Sequence, residues 1–312
     1  MTIEAHAEEA PVQSEPPYAE TPYARRARYH TSENPFTFEW PPVPARQFLA
    51  ERDRAFDPAT PTGEIALDAS GQLGTRYQAT TPTLLVRYLK IRAGERLRTS
   101  FAVGGEIYYV MAGAGESRNG NDSIAWGTGD VYSFPGGSET VHRAGREDCL
   151  LFVATDEPLL AFEGLRPPAP GSAAAETVHW PAHEIERRFE AVWQRPSSEK
   201  ATGRSVMFST LALAPSYMTI PTINVAINTL EPGCEQRPHR HNGVAVTLAI
   251  QGEGIHSMID GQRVDWSNGA AQITPATSLH SHHNRGTKRM RSLVIQDEGL
   301  HHYTRTPGFS FD

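Results

Sequence analysis

Two stretches of this chain repeat one another at a fixed distance, and that repeat narrows the folds open to it. Gly94 and Gly233 lie 139 residues apart, as do Gly113 and Gly252, while Gly129 and Gly269 lie 140 apart, as do Pro135 and Pro275. Glycine tolerates the positive φ of tight turns and proline fixes φ, so markers of this kind stand at the corners of hairpins. Four at one offset, with a single one-residue slip, mark two copies of one small β domain. Between the markers apolar and polar residues alternate, over Leu84 to Ile91, Glu106 to Met111, Val131 to Phe134 and Leu150 to Val153 in the first copy. That period of two is a strand signal.

The repeat divides the 312 residues into four parts. Residues 79–155 are the first barrel, and residues 205–312 are the second with a C-terminal tail. Residues 1–78 read as an extended arm, with Pro16-Pro17, Pro41-Pro42-Val43-Pro44 and a short helix near Ala45 to Arg54. Tyr18, Tyr23, Tyr29, Phe36, Phe38 and Trp40 are too many aromatics for a purely solvated tail, so the arm is expected to pack on its own barrel or on a neighbouring subunit. Residues 156–204 are a connector in which Ile185, Phe189, Val192 and Trp193 fall at i, i+4, i+7 and i+8. They mark one amphipathic helix that stops before Pro196.

Charge and cysteine content exclude several classes of function. Lys and Arg number 29 against 36 Asp and Glu, a net charge of −7 without a dense basic run, which argues against nucleic acid or an anionic membrane as partner. No apolar stretch approaches the ~18 residues of a membrane span. The acidic N-terminus has no apolar core of the kind a secretory signal carries. Two cysteines, Cys149 and Cys234, make no disulfide framework, so a cytoplasmic setting is expected, with Cys234 a buried structural thiol.

Eight of the 13 histidines lie between 239 and 302. His256, His301 and His302 read as surface or hydrogen-bonded core residues. His239 and His241 stand two apart beside an alternating run, Val244 to Ile250, so both imidazoles face one side of a sheet. Turned into a barrel, buried neutral imidazoles without partners are costly, and a divalent metal satisfies them together. His280, after the turn Thr274-Pro275-Ala276-Thr277, is the natural third ligand.

These motifs resemble the cupin superfamily. Gly233-x5-His239-x-His241 followed by Gly252 is similar to its first motif, and Gly269-x5-Pro275-x-Thr277-x2-His280-x3-Asn284 to its second, with Thr277 where the pattern has Gly. The resemblance implies an all-β chain of two tandem cupin (jelly-roll) barrels. In the first copy Ser100, Ala102 and Thr140 stand at the ligand positions, so that barrel is expected to bind no metal. Glu106, at the cupin carboxylate position, is expected there as a solvated or hydrogen-bonded side chain. In the second copy the carboxylate position is Ala245, which leaves a three-histidine site and one metal per chain.

Within the superfamily the second copy is similar to the gentisate 1,2-dioxygenase group of Fe(II) ring-cleaving enzymes, on Pro238-His239-Arg240-His241, Gly252-Glu253-Gly254, Thr274-Pro275 and His280-x-His282-x-Asn284. The resemblance implies His239, His241 and His280 as iron ligands. It implies His282 as a catalytic group that hydrogen-bonds substrate or moves a proton, a small-molecule aromatic substrate, and O2. Two departures stand out. Those enzymes keep iron in the first barrel, and their substrate-gripping arginine is Thr247 here. Thr247 and Asn224 are the expected substrate-binding residues. The expected function is therefore an Fe(II)-dependent dioxygenase that opens a hydroxylated aromatic ring, in an oligomer of the chain. The alternatives are a non-oxidative isomerase, decarboxylase or hydrolase using Mn, Zn or Ni, and a non-catalytic small-molecule-binding protein.

Overall fold

The computed structural model describes residues 21–29, 40–194 and 203–312. Met1–Trp40 and Pro41–Asp312 are separate compact units. In the first, residues 21–29 contain one 3-10 turn, Ala24–Arg26, and residues 1–20 and 30–39 of the expected arm lie outside the described residues.

The second unit consists of two copies of one strand plan. The first copy contains α1 (Leu49–Phe56), β1 (Gly63–Ala66), α2 (Ser70–Leu73), β2 (Leu85–Ile91), β3 (Arg96–Thr99), β4 (Gly105–Ala112), β5 (Ala114–Asn119), β6 (Asp122–Gly127), β7 (Val131–Pro135), β8 (Thr140–Ala144), β9 (Cys149–Thr155) and α3 (Glu157–Glu163). The second contains β10 (Val178–Trp180), α4 (Ala182–Trp193), β11 (Arg204–Phe208), β12 (Asn224–Leu230), β13 (His239–His241), β14 (Ala245–Gln251), β15 (Ile255–Ile259), β16 (Gln262–Asp265), β17 (Ala271–Thr274), β18 (His280–Asn284), β19 (Met290–Gln296), α5 (Glu298–Tyr303) and β20 (Phe309–Phe311). No helix among the described residues is long and apolar enough to cross a membrane.

Each copy folds as two facing antiparallel sheets. The first pairs β1-β2-β9-β4-β7-β10 with β3-β8-β5-β6, and the second pairs β11-β12-β19-β14-β17 with β16-β15-β18-β13-β20. The repeat extends to register. Tyr108 stands opposite Tyr132 and Val153, and Thr247, 139 residues on, stands opposite Gln272 and Val294. Both copies carry the same irregularity, between Val110 and Ala112 and between Ala249 and Gln251.

The segments expected as arm and connector belong in part to the barrels. β1 pairs with β2 along four residues, and Phe48, Leu67 and Leu73 are core residues. Residues 46–48 run along β17, with Phe48 N donating to Ala271 O at 2.9 Å and Ile273 N to Arg46 O at 2.8 Å. Reciprocally, β10 caps β7 of the first barrel. Each barrel is thus edged by the segment that leads into the other, and both covered edges lose their free hydrogen-bonding groups. Strands of three or four residues hold too few positions to show a period of two, so the expected limits at 78 and 204 fall within or after these segments. The connector helix is α4, with Ile185 and Phe189 buried.

Alternation along the strands sorts the core. Tyr88, Ile107, Val131 and Phe152 join Val225, Ile227, Val246, Leu248 and Ile295 in one apolar layer between the barrels. The opposite face of the first barrel closes on its own interior, where Leu89, Tyr108, Tyr132, Phe134 and Leu151 pack together. At the same register positions the second barrel carries Asn228, Thr247, Gln272, Thr274 and Ser292. Small polar side chains do not fill the space of rings and leucines, and a cavity of about 570 Å³ opens there.

Candidate metal centre

His239 and His241 sit on β13 with Arg240 exposed between them, and His280 stands directly opposite His239 on β18. The strand pleat therefore turns all three rings into the cavity. Ring centroids of His239 and His280 lie 4.3 Å apart, and those of His241 and His280 4.7 Å. One nitrogen from each ring lies within 4.8 Å of the others, the only such group of three His, Cys, Asp or Glu among the described residues.

The backbone orients these rings. Nδ1 of His239 lies 2.9 Å from Arg237 O, that of His241 2.7 Å from Gly243 O, and that of His280 3.0 Å from Ser278 O. A carbonyl oxygen only accepts, so each Nδ1 carries the proton and each Nε2 keeps its lone pair. Burial lowers the basicity of all three. His241 is held down at about 4, and His280 at about 3 with the neighbouring imidazoles adding to the effect, so the lone pairs are free at neutral pH. Three neutral imidazole donors with no carboxylate suit Fe, Zn, Cu or Ni. The donor set fits a resident divalent ion.

Around the rings lies a polar wall. Asn224, Thr247, Gln236, Thr274 and Gln296 line the cavity. Gln296 Nε2 lies 3.2 Å from His241 Nε2, and Asn224 Nδ2 lies 3.4 Å from Gln296 Oε1. Glu298, first residue of α5, has its Oε1 4.0 Å from His241 Nδ1. Phe309, on the C-terminal strand β20 that pairs with β13, borders the cavity, its ring 5.6 Å from that of His239.

His282 reaches the same cavity from β18 but is tied to a different group. Its Nδ1 lies 2.9 Å from Ser257 Oγ, which also receives Trp266 Nε1 at 2.7 Å and Gln272 Nε2 at 2.6 Å. The first barrel repeats this cluster 140 residues earlier. Ser117 Oγ lies 2.7 Å from His142 Nδ1, receives Trp126 Nε1 at 2.8 Å and lies 3.0 Å from Tyr132 Oη. The sequence reading missed this buried trio, although Ser117 and Ser257, Trp126 and Trp266, and His142 and His282 all share the offset of 140.

The ligand positions of the first barrel hold no imidazole. Thr140 donates to Glu106 Oε2 at 2.7 Å, Tyr108 Oη donates to the same oxygen at 2.6 Å, and Asn119 Nδ2 donates to Thr140 at 2.8 Å. Glu106 is fully buried, so it is hydrogen-bonded and not solvated, and burial pushes its carboxyl up to about 7. Of the histidines expected outside the site, His256 stacks on His283, His301 meets Asn242 and exposed His302 reaches the cavity rim. Cys234, expected buried, is exposed, and Cys149 is the buried thiol. Cys234 lies in the segment before β13, whose backbone pairs with the end of β18 through Asn284 N and Cys234 O at 2.9 Å while its side chain stays exposed.

A cupin domain family matches residues 226–296, the centre of the second barrel. Among characterised relatives, the chain is 33% identical over 86 residues to a 5-aminosalicylate 1,2-dioxygenase of Comamonas sp, covering 28% of this chain and 23% of that protein. It is 24% identical over 144 residues to a gentisate 1,2-dioxygenase of Ralstonia sp, covering 46% and 41%. The matched stretches thus span less than half of either relative. Among solved structures, a salicylate 1,2-dioxygenase from Pseudaminobacter salicylatoxidans superposes with a TM-score of 0.72 at 12% identity, over 90% of this chain and 92% of that one. Its adduct with gentisate gives 0.73 at 12% identity over 89% and 87%. Fold, repeat and motif agree: residues 226–296 match a cupin domain, the chain shares the two-barrel fold of these solved structures, and its three-histidine cluster lies in the second barrel.

Proposed function

We propose that the second barrel binds Fe(II) through His239, His241 and His280 and that the protein is a dioxygenase cleaving a hydroxylated aromatic ring. The observation that carries this reading is the set of three buried Nε2 lone pairs facing one another, each fixed by a backbone carbonyl behind its ring. Bound there, the ion would supply a Lewis-acidic, redox-active centre with open positions for a ring hydroxyl and O2. The protein's own residues do the rest. The cavity of about 570 Å³ has room for a single aromatic ring with its substituents. Asn224 and Thr247 stand on its wall as substrate contacts, and Phe309 offers a ring face beside His239.

His282 is given a definite direction by hydrogen-bond accounting. Ser257 Oγ already accepts from Trp266 and Gln272, so its own proton goes to His282 Nδ1. The neutral imidazole then carries its proton on Nε2 and offers a donor to a molecule in the cavity. In the first barrel Thr99 Oγ1 stands 3.3 Å from the matching His142 Nε2, whereas His282 Nε2 meets no such group among the described residues. His282 thus acts as a fixed donor to the substrate.

This reading includes a cytoplasmic protein assembled from at least two chains. The test is iron loading under anaerobic conditions, metal analysis, and oxygen-electrode traces with a panel of hydroxyaromatics. Stoichiometric O2 uptake with loss of ring absorbance is expected. Absence of uptake across the panel in fully iron-loaded protein rejects it.

A further inference from the structure

One cross-strand pair stands beside the ligand positions in each barrel, and the two pairs are complementary. In the first barrel Glu106 of β4 is opposite Thr155 of β9. In the second, Ala245 of β14 holds the place of Glu106 in the repeat and is opposite Gln296 of β19. Side chains directly opposite on neighbouring strands share one face and lie within reach of each other. Each barrel therefore sets a long oxygen-bearing side chain against a short one, but the long one has changed strands. Where the second copy lacks a carboxylate, at Ala245, Gln296 reaches the cavity beside it.

The Gln296 amide ends at the lone-pair side of a histidine of the cluster. Its Nε2 lies 3.2 Å from His241 Nε2, and the side chain is only part-buried. Two donor atoms held by one ion at about 2.1 Å each stand about 3.0 to 3.4 Å apart, from right-angled to tetrahedral arrangements. The amide is thus already at the spacing of a neighbouring ligand. With a cation on the imidazole lone pair, its N–H would turn a positive end toward the ion. A half-turn about the terminal torsion, which is soft, puts Oε1 in that place. Asn224 flanks Gln296 on β12, with Nδ2 3.4 Å from Oε1. It is an amide too, so turning both side chains keeps this contact with donor and acceptor exchanged.

Resting on the metal site of the reading above, we infer that Gln296 is a fourth protein ligand of the ion, bound through Oε1. Its oxygen is neutral, so the ion keeps its full positive charge toward small molecules. A six-coordinate ion then has two positions left, one for a ring hydroxyl and one for O2.

The experiment uses the whole chain loaded with Co(II) without oxygen. In its crystal structure, with the ion located by anomalous scattering, Gln296 Oε1 is expected at about 2.2 Å from the metal. In competition with a chromophoric chelator, Gln296→Leu should weaken Co(II) binding at least about tenfold. Gln296→Glu should tighten it, because a carboxylate adds charge to the same bond. An ion held by the three histidines with the Gln296 amide more than about 3 Å away overturns the inference and leaves the three-histidine centre standing. Unchanged Co(II) affinity in folded Gln296→Leu protein does the same. The crystal structure needs only the wild-type chain, so the outcome does not depend on the variants folding. Failure of the wild-type protein to bind Co(II), Fe(II) or Zn(II) removes the metal centre itself, and this inference falls with it.

Discussion

Thr83 Oγ1, at the entrance to the first barrel, donates at 2.6 Å to Oδ2 of Asp297, which follows β19 of the second and precedes α5. The reciprocal bond runs from Thr222 Oγ1 to Asp156 Oδ2 at 3.1 Å. The pairs match at offsets of 139 for the threonines and 141 for the aspartates. They belong to the approximate twofold that also exchanges residues 46–48 and β10 between barrel edges. The interface of the two copies has kept its plan while their interiors took opposite courses, one packed with aromatics and one opened around imidazoles. The alternation of strand side chains makes this possible, because changing inward residues leaves the outward face intact.

Removing one ligand should abolish metal retention without unfolding the chain. His280→Ala takes away one of three imidazoles and leaves two rings with backbone-held Nδ1 atoms. Metal content of purified protein is expected to fall from about one ion per chain to near zero, with the circular dichroism spectrum unchanged. Retention of a full complement of metal would show that the ion sits elsewhere.

Ser257→Ala and Ser117→Ala form a matched pair, because the same tryptophan and histidine depend on each serine. Both variants leave a buried indole N–H without an acceptor and should lose about 1–3 kcal/mol in urea titrations. Only Ser257→Ala also frees the His282 ring beside the cavity, so only it should reduce substrate affinity and turnover. Equal turnover in the two would confine the second trio to a structural role.

Much of this architecture was legible in the sequence, for reasons that also mark what was not. Turn glycines and prolines recur at one offset because both copies need the same corners, so Gly94, Gly129 and their partners disclosed two barrels. His239, His241 and His280 were legible because a strand period of two and one hairpin turn suffice to place them. Asn228, Gln272 and Gln296 were not, since a polar residue in a strand reads as solvent-facing until a barrel closes around it. The edge segments at 46–48 and 178–180 are too short for any period. Phe309 joins the site only by pairing of the C-terminal strand with β13, a contact some 70 residues long in sequence that no local pattern announces.

Thr277 occupies the turn position where its counterpart in the first barrel is Gly137, and both have positive φ, 64° and 90°. A β-branched residue is strained there. Its backbone N–H donates to His241 O at 2.7 Å, so the turn holds the strand that bears His239 and His241. Thr277→Gly is expected to raise stability by about 1 kcal/mol in urea unfolding, with metal content unchanged. A loss of stability would mean that the Thr277 side chain contributes more than its backbone strain costs.

Glu106 provides a pH dependence that originates in the first barrel. Burial raises its carboxyl from 4.5 to about 7, although Tyr108 and Thr140 both donate to it. Between those values the folded protein holds a proton that the unfolded chain has released. This contribution to stability is therefore complete below about 4.5, declines as pH rises through 7, and is gone above that. The difference amounts to about 3 kcal/mol. Glu106→Gln keeps an acceptor oxygen for Tyr108 and Thr140 and removes the titration. Urea unfolding at pH 5 and pH 8 should show the wild type losing stability relative to the variant at the higher pH. Parallel curves across that interval would place the carboxyl of Glu106 in its ordinary range and refute the assignment. The three-histidine cluster lies in the other barrel, so metal content should be the same in both proteins at each pH.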